Sequence, residues 1–147
     1  MSVVAWDGKT IAADKRAMCA GAHFTTTKIR KIKRADRFPE YLAWTSDQDS
    51  GELMASWYEA GADPTAFPAC QKDKDSWARL IVADQNGCKF YERQPVAVRV
   101  EDKFSAWGSG RDFALAAMYL GSTARQAVDV AAALSSECGN GVDYFHL

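Results

Sequence analysis

The stretch Ser2-Val3-Val4-Ala5-Trp6-Asp7-Gly8-Lys9-Thr10-Ile11-Ala12-Ala13-Asp14 places two apolar runs on either side of Asp7-Gly8. Asp-Gly between such runs is a strong short-range hairpin signal, because both residues tolerate the backbone of a tight turn. The chain is therefore expected to open with an antiparallel hairpin. With Asp7-Gly8 as a two-residue turn, Trp6 pairs with Lys9, Ser2 falls opposite Ala13 and Met1 opposite Asp14.

Working outward, Phe24 to Ile32 reads as a further extended segment, and Tyr41-Leu42-Ala43-Trp44-Thr45 as another strand after the Pro39 break. Asp49-Ser50 can cap a helix from about Gly51, with Leu53, Met54, Trp57 and Tyr58 at helical spacing and Gly61 as its stop. Residues 62–75 carry Pro64, Pro68 and Lys72-Asp73-Lys74-Asp75 and read as a surface loop. Trp77–Ala83 and Cys88–Glu92 flank Asp84-Gln85-Asn86-Gly87 as a second hairpin, and Phe104–Trp107 is a strand leading into Gly108-Ser109-Gly110. Two helices follow, from Phe113 to Leu120 and from Ala124 to about Glu137, then a terminal strand Val142–Leu147. With strands at both ends, the 147 residues read as one domain.

Composition narrows the function classes. Eighteen basic against nineteen acidic residues leave a net charge of −1, with no electrostatic footprint for nucleic acid or a membrane surface. No apolar run approaches the roughly 18 residues of a spanning helix, and the opening residues lack the basic start of a secretion signal, so a cytoplasmic protein is expected. Cys19, Cys70, Cys88 and Cys138 are widely spaced and only His23 and His146 accompany them, so zinc-ligand spacing is absent and the cysteines read as free thiols. His23 is expected in an exposed loop. The Lys28-Arg30-Lys31-Lys33-Arg34 cluster reads as a solvated or ion-paired strand, since few aromatics lie near it to stack bases. At least one of Trp57 and Tyr58 is expected to pack in the core, the alternative being an assembly surface.

Asp7 to Ala17, Lys28-Ile29-Arg30-Lys31-Ile32, Trp107-Gly108-Ser109-Gly110 with the helix behind it, and Gly141-Val142-Asp143-Tyr144-Phe145 resemble, in order, the proteasome β-subunit and HslV-type peptidase family. The resemblance spans nearly the whole chain. It implies an α+β fold, the four-layer αββα sandwich of two antiparallel sheets found in N-terminal nucleophile hydrolases, here with a reduced helical layer because one helix and a loop stand where two helices are usual. It also implies a ring-forming homo-oligomer and no metal or organic cofactor. In active members a terminal threonine attacks a peptide carbonyl, its α-amine takes the proton, and an Asp–Lys pair and the Ser of the Gly-Ser-Gly turn assist.

Carried onto this chain, the resemblance makes Asp14 and Ser109 site residues and puts Arg30 at the lysine position, where a forked, permanently charged guanidinium could pair with Asp14. On the register above the first strand ends about two residues short, a deficit of about 6–7 Å. Trp44 would crowd the approach where relatives carry an oxyanion glycine. These three departures lead to the expectation of a catalytically degenerate, self-assembling homologue with a structural or regulatory role. The alternative is an active peptidase or amidohydrolase in which removal of Met1 exposes Ser2 as hydroxyl nucleophile and amine together, which needs a different register.

Overall fold

The computed structural model describes residues 2–69 and 77–147; the expected loop residues 70–75, Cys70 among them, and Met1 lie outside the described residues. Alternation of side chains builds two antiparallel sheets. In the first, strand β1 (Val3–Trp6) and β2 (Thr10–Asp14) are central, flanked by β10 (Ser105–Gly108) and β11 (Val142–His146) in the order β10-β1-β2-β11. In the second, β5 (Ile29–Arg34), β6 (Arg37–Thr45), β7 (Arg79–Asp84), β8 (Gly87–Tyr91) and β9 (Val98–Arg99) follow one another. A separate hairpin joins β3 (Arg16–Cys19) to β4 (Ala22–Thr25).

Period-two burial sorts the residues into three cores. Val4, Trp6, Ile11 and Ala13 meet Ile29, Tyr41, Ala43 and Ile81 between the sheets. Val3, Ala5 and Ala12 turn the other way, onto helices α2 (Arg111–Tyr119) and α3 (Ala124–Leu134). Leu42, Trp44, Leu80 and Val82 pack under α1 (Gln48–Glu59), where Trp57 and Tyr58 are both buried. The result is the four-layer αββα sandwich with one helix and a short 3-10 turn (Pro64–Ala66) on the reduced side.

Local chemistry moves several boundaries. Helix α1 begins three residues before the expected start because Asp47, rather than Asp49 or Ser50, is the cap: its carboxylate accepts from the Ser50 N–H at 2.9 Å and hydroxyl at 2.6 Å. Helix α3 has a full capping box between Thr123 and Gln126 and stops at Leu134, ahead of the Ser135–Glu137 turn. The segment Phe24 to Ile32 is two strands: Thr26 donates its N–H to Lys15 O at 2.8 Å and the chain then crosses to the second sheet. His23 lies on exposed strand β4 instead of in a loop.

The opening hairpin differs in register. Trp6 pairs with Ile11, Ala5 with Ala12 and Val4 with Ala13, and the Asp7 N–H donates to Thr10 O at 3.2 Å, so the loop residues are Gly8 and Lys9. The Asp7 carboxylate accepts from the N–H groups of Lys9 and Thr10 at 2.9 and 2.7 Å and fixes the turn one residue later than Asp7-Gly8. Every partner of β1 therefore moves by two residues. Continuing the ladder, Val3 lies level with Asp14 and Ser2 one step beyond it.

Candidate active site

Ser2 sits where three elements converge. Its N–H donates to Ser109 Oγ at 3.1 Å, and its carbonyl accepts from the Gly110 N–H at 3.2 Å and from Ser109 Oγ at 3.3 Å. From the opposite side, the Ser46 N–H donates to Ser2 Oγ at 3.3 Å. Ser109 lies in the turn after β10, but it does not cap α2. The N-cap is Gly110, with no side-chain cap bond, and the Ser109 hydroxyl is turned to Ser2 instead. Gly108, at φ +96, makes this closeness possible, because a Cβ there would overlap the Ser2 carbonyl.

Asp14 ends β2 and is fully buried. One carboxylate oxygen accepts from the Val3 N–H at 3.0 Å and Lys28 Nζ at 2.8 Å; the other accepts from the N–H groups of Arg16 at 3.2 Å and Gly139 at 3.0 Å. A buried carboxylate is tolerable only when its lone pairs are satisfied and its charge is matched, and here both conditions are met. Lys28 is as deeply placed, its side chain 3% exposed. Burial lowers the Lys28 pKa, and the attraction of Asp14 offsets this only in part.

The cation on Asp14 is therefore Lys28, and the assignment of Arg30 is corrected. Arg30 lies two residues further along, beneath α1, where its guanidinium meets Glu52 at 2.6 Å and Glu59 at 3.1 Å and stacks over the Trp44 ring. Lys28 precedes β5, its carbonyl accepting from the Trp44 N–H at 3.1 Å, and so stands at the mouth of the sandwich. The basic cluster is ion-paired as expected: Lys28, Arg30 and Arg34 each hold a carboxylate.

The other two departures also change. The β1 register carries Ser2 two residues further along the ladder than expected, to one step past Asp14. Trp44 does not crowd the site: it is 2% exposed, packs under α1 in space left by Gly51, and its indole donates to Gln48 Oε1 at 3.2 Å. The residue facing Ser2 is Ser46, in the left-handed region at φ 72. Beside it opens a cleft of about 460 Å³ lined by Met18, Phe24, Lys28, Ser46 and Asp47, among others. Sequence reasoning missed Lys28, Ser46 and Gly139 as site residues. Only Lys28 carried a signal, as the first cation of the basic run.

The four-layer αββα sandwich is the fold of solved proteasome-like structures. Solved structures of that fold superpose over the whole chain. BPH of Thiobacillus denitrificans, in complex with epoxomicin, is 21% identical and matches 100% of this chain and 98% of its own with a TM-score of 0.72. A eukaryotic HslV from Trypanosoma brucei is 19% identical over 99% of this chain and 98% of that one, with a TM-score of 0.67. The Anbu complex of Pseudomonas aeruginosa, solved as a helical assembly, is 12% identical over 100% and 81%, with a TM-score of 0.70. No family model matches the sequence. No match among curated proteins reaches significance. Among the described residues, no helix is long and apolar enough to cross a membrane.

Proposed function

We propose that the chain is a serine-type N-terminal nucleophile hydrolase acting on peptide or other amide bonds, with Ser2 exposed by removal of Met1. The observation that carries this reading is the convergence of Ser109, Asp14–Lys28 and the Ser46 N–H around Ser2. Lys28 on Asp14 and Trp44 packed under α1 support the active reading over catalytic decay, while Ser46 rather than a glycine supplies the N–H that faces Ser2.

In the proposed reaction Ser2 Oγ attacks the substrate carbonyl carbon while its proton passes to the freed α-amine, whose ordinary pKa of about 7.7–8.0 suits a base at neutral pH. Lys28, on the same carboxylate oxygen as the Val3 N–H, sets a positive charge close to that amine and favours its unprotonated form. Negative charge on the former carbonyl oxygen is met by the Ser46 N–H. The tetrahedral species collapses by breaking the C–N bond, and the leaving amine takes the proton from the ammonium. An ester on Ser2 remains. Water, deprotonated by the same amine, attacks that ester, releasing the acid and restoring the hydroxyl. Self-assembly with further copies of the chain belongs to the same proposal and is read by solution mass.

The test is intact-mass spectrometry of the protein from its own host, followed by exposure to a peptide epoxyketone, which requires a hydroxyl and an amine on one residue. Loss of Met1 and one adduct on Ser2, abolished by Ser2→Ala, are expected. Retention of Met1, or an adduct that survives Ser2→Ala, overturns the reading.

A further inference from the structure

Ser46 combines three features. It is a residue with a Cβ at φ 72, where such residues are uncommon and strained. It supplies the N–H that meets Ser2 Oγ at 3.3 Å. Its side chain is exposed and lines the cleft beside Ser2, and among the described residues its hydroxyl takes no hydrogen bond. Glycine would adopt this backbone without strain and would supply the same N–H. Strain kept at a site is a pointer to what the side chain does there.

Covalent geometry limits the possibilities. In a gauche rotamer a serine hydroxyl lies about 3 Å from its own backbone nitrogen. The hydroxyl can thus turn toward the space that the N–H addresses, where charge develops as Ser2 attacks. An oxyanion is held better by two donors than by one. We propose that the Ser46 hydroxyl is a second oxyanion donor, acting beside the Ser46 N–H, which makes Ser46 a catalytic residue through both backbone and side chain. The inference rests on the Ser2 reading and deepens it. It transfers no atoms: the hydroxyl lends a hydrogen bond to the tetrahedral oxygen and regains its freedom when that oxygen becomes a carbonyl again.

Two variants separate the side chain from the backbone. Ser46→Ala keeps the strained conformation and removes the hydroxyl, whereas Ser46→Gly removes both. The experiment measures the rate constant and saturation constant for labelling of Ser2 by the peptide epoxyketone in wild type, Ser46→Ala and Ser46→Gly, with melting temperatures alongside. Both variants are expected to lose about 100-fold in the maximal labelling rate, with the saturation constant unchanged. Ser46→Gly is expected to melt at or above wild type. Labelling of either variant at the wild-type maximal rate, or a loss confined to the saturation constant, overturns the assignment. A lower melting temperature for Ser46→Gly overturns the strain on which it rests. A wild-type protein that takes no label removes the Ser2 reading itself, and this inference with it, a result distinct from a labelled wild type with fully active variants.

Discussion

The two helical layers of the sandwich solve the same burial problem with opposite side chains. Against the first sheet, α2 and α3 present Ala114, Ala117, Ala124, Ala127 and Ala131 to Val3, Ala5 and Ala12. Against the second sheet a single helix, α1, presents Met54, Trp57 and Tyr58 to Trp44, Leu80 and Tyr91, and Trp57 sets its ring 4.8 Å from Phe67 and 5.2 Å from Tyr91. Small residues allow two helices to lie close to β1 and β2; rings fill the room that one helix leaves. The division extends to the site. The alanine side positions Ser2, Asp14 and Ser109, while the aromatic side contributes Lys28 and Ser46 from just outside the ends of the strands beneath α1.

This contrast can be broken from either side. Trp57→Ala removes a ring that touches three aromatic neighbours and is expected to cost about 3–5 kcal/mol in denaturant unfolding. A loss under 1 kcal/mol would mean that the rings do not hold the single-helix layer. Ala127→Leu tests the other layer. Ala127 is fully buried against the first sheet, so the added carbons must push α3 outward, at a cost of about 1–3 kcal/mol. Because α3 backs β1, this variant should also slow labelling of Ser2, whereas Trp57→Ala should spare whatever fraction remains folded.

The smallest effect concerns Glu40, which joins β6 to α1. Burial alone would raise its carboxyl, but hydrogen bonds from Tyr58 at 2.7 Å and Arg34 at 3.1 Å outweigh burial and leave its pKa lowered. A carboxyl depressed in the folded state adds stability that is complete above its unfolded value, about 4.3. That contribution fades as pH falls through the folded value. Melting temperatures followed downward from pH 6 should therefore fall more steeply for wild type than for Glu40→Gln, and parallel curves would exclude the linkage.

Much of the sandwich was legible from residue types. The apolar runs flanking Asp7-Gly8, the Asp84–Gly87 turn and Gly61 after the first helix marked most elements, and a loop in place of a second helix marked the reduced helical layer. The register of the first hairpin was not. A two-residue slip leaves every side chain on its original face, so the apolar pattern of Val3, Val4, Ala5 and Trp6 fits either pairing equally. The Asp7 carboxylate decides between them, through bonds that residue names do not announce. Lys28 and Arg30 pose the same difficulty, since two cations two apart share a face. Which one reaches Asp14 depends on where β5 begins, and the Thr26–Lys15 bond at the crossing sets that point. Nothing in Thr45-Ser46-Asp47 foretold a left-handed serine. Asp14 and Ser109 could be named because the resemblance carries onto those positions, and Ser2 because removal of Met1 would expose it.

Asp7 also reaches past its own hairpin: its second carboxylate oxygen accepts from the Ala124 N–H at 2.8 Å, at the first turn of α3. One side chain thereby rivets the base of β1 to the helix that lies along its back. Ser2 stands five residues away, about 16 Å along an extended strand, like the tip of a rod clamped at its far end. The far end of the strand thus shares in setting where Ser2 stands, alongside the direct hold of Ser109, Gly110 and Ser46.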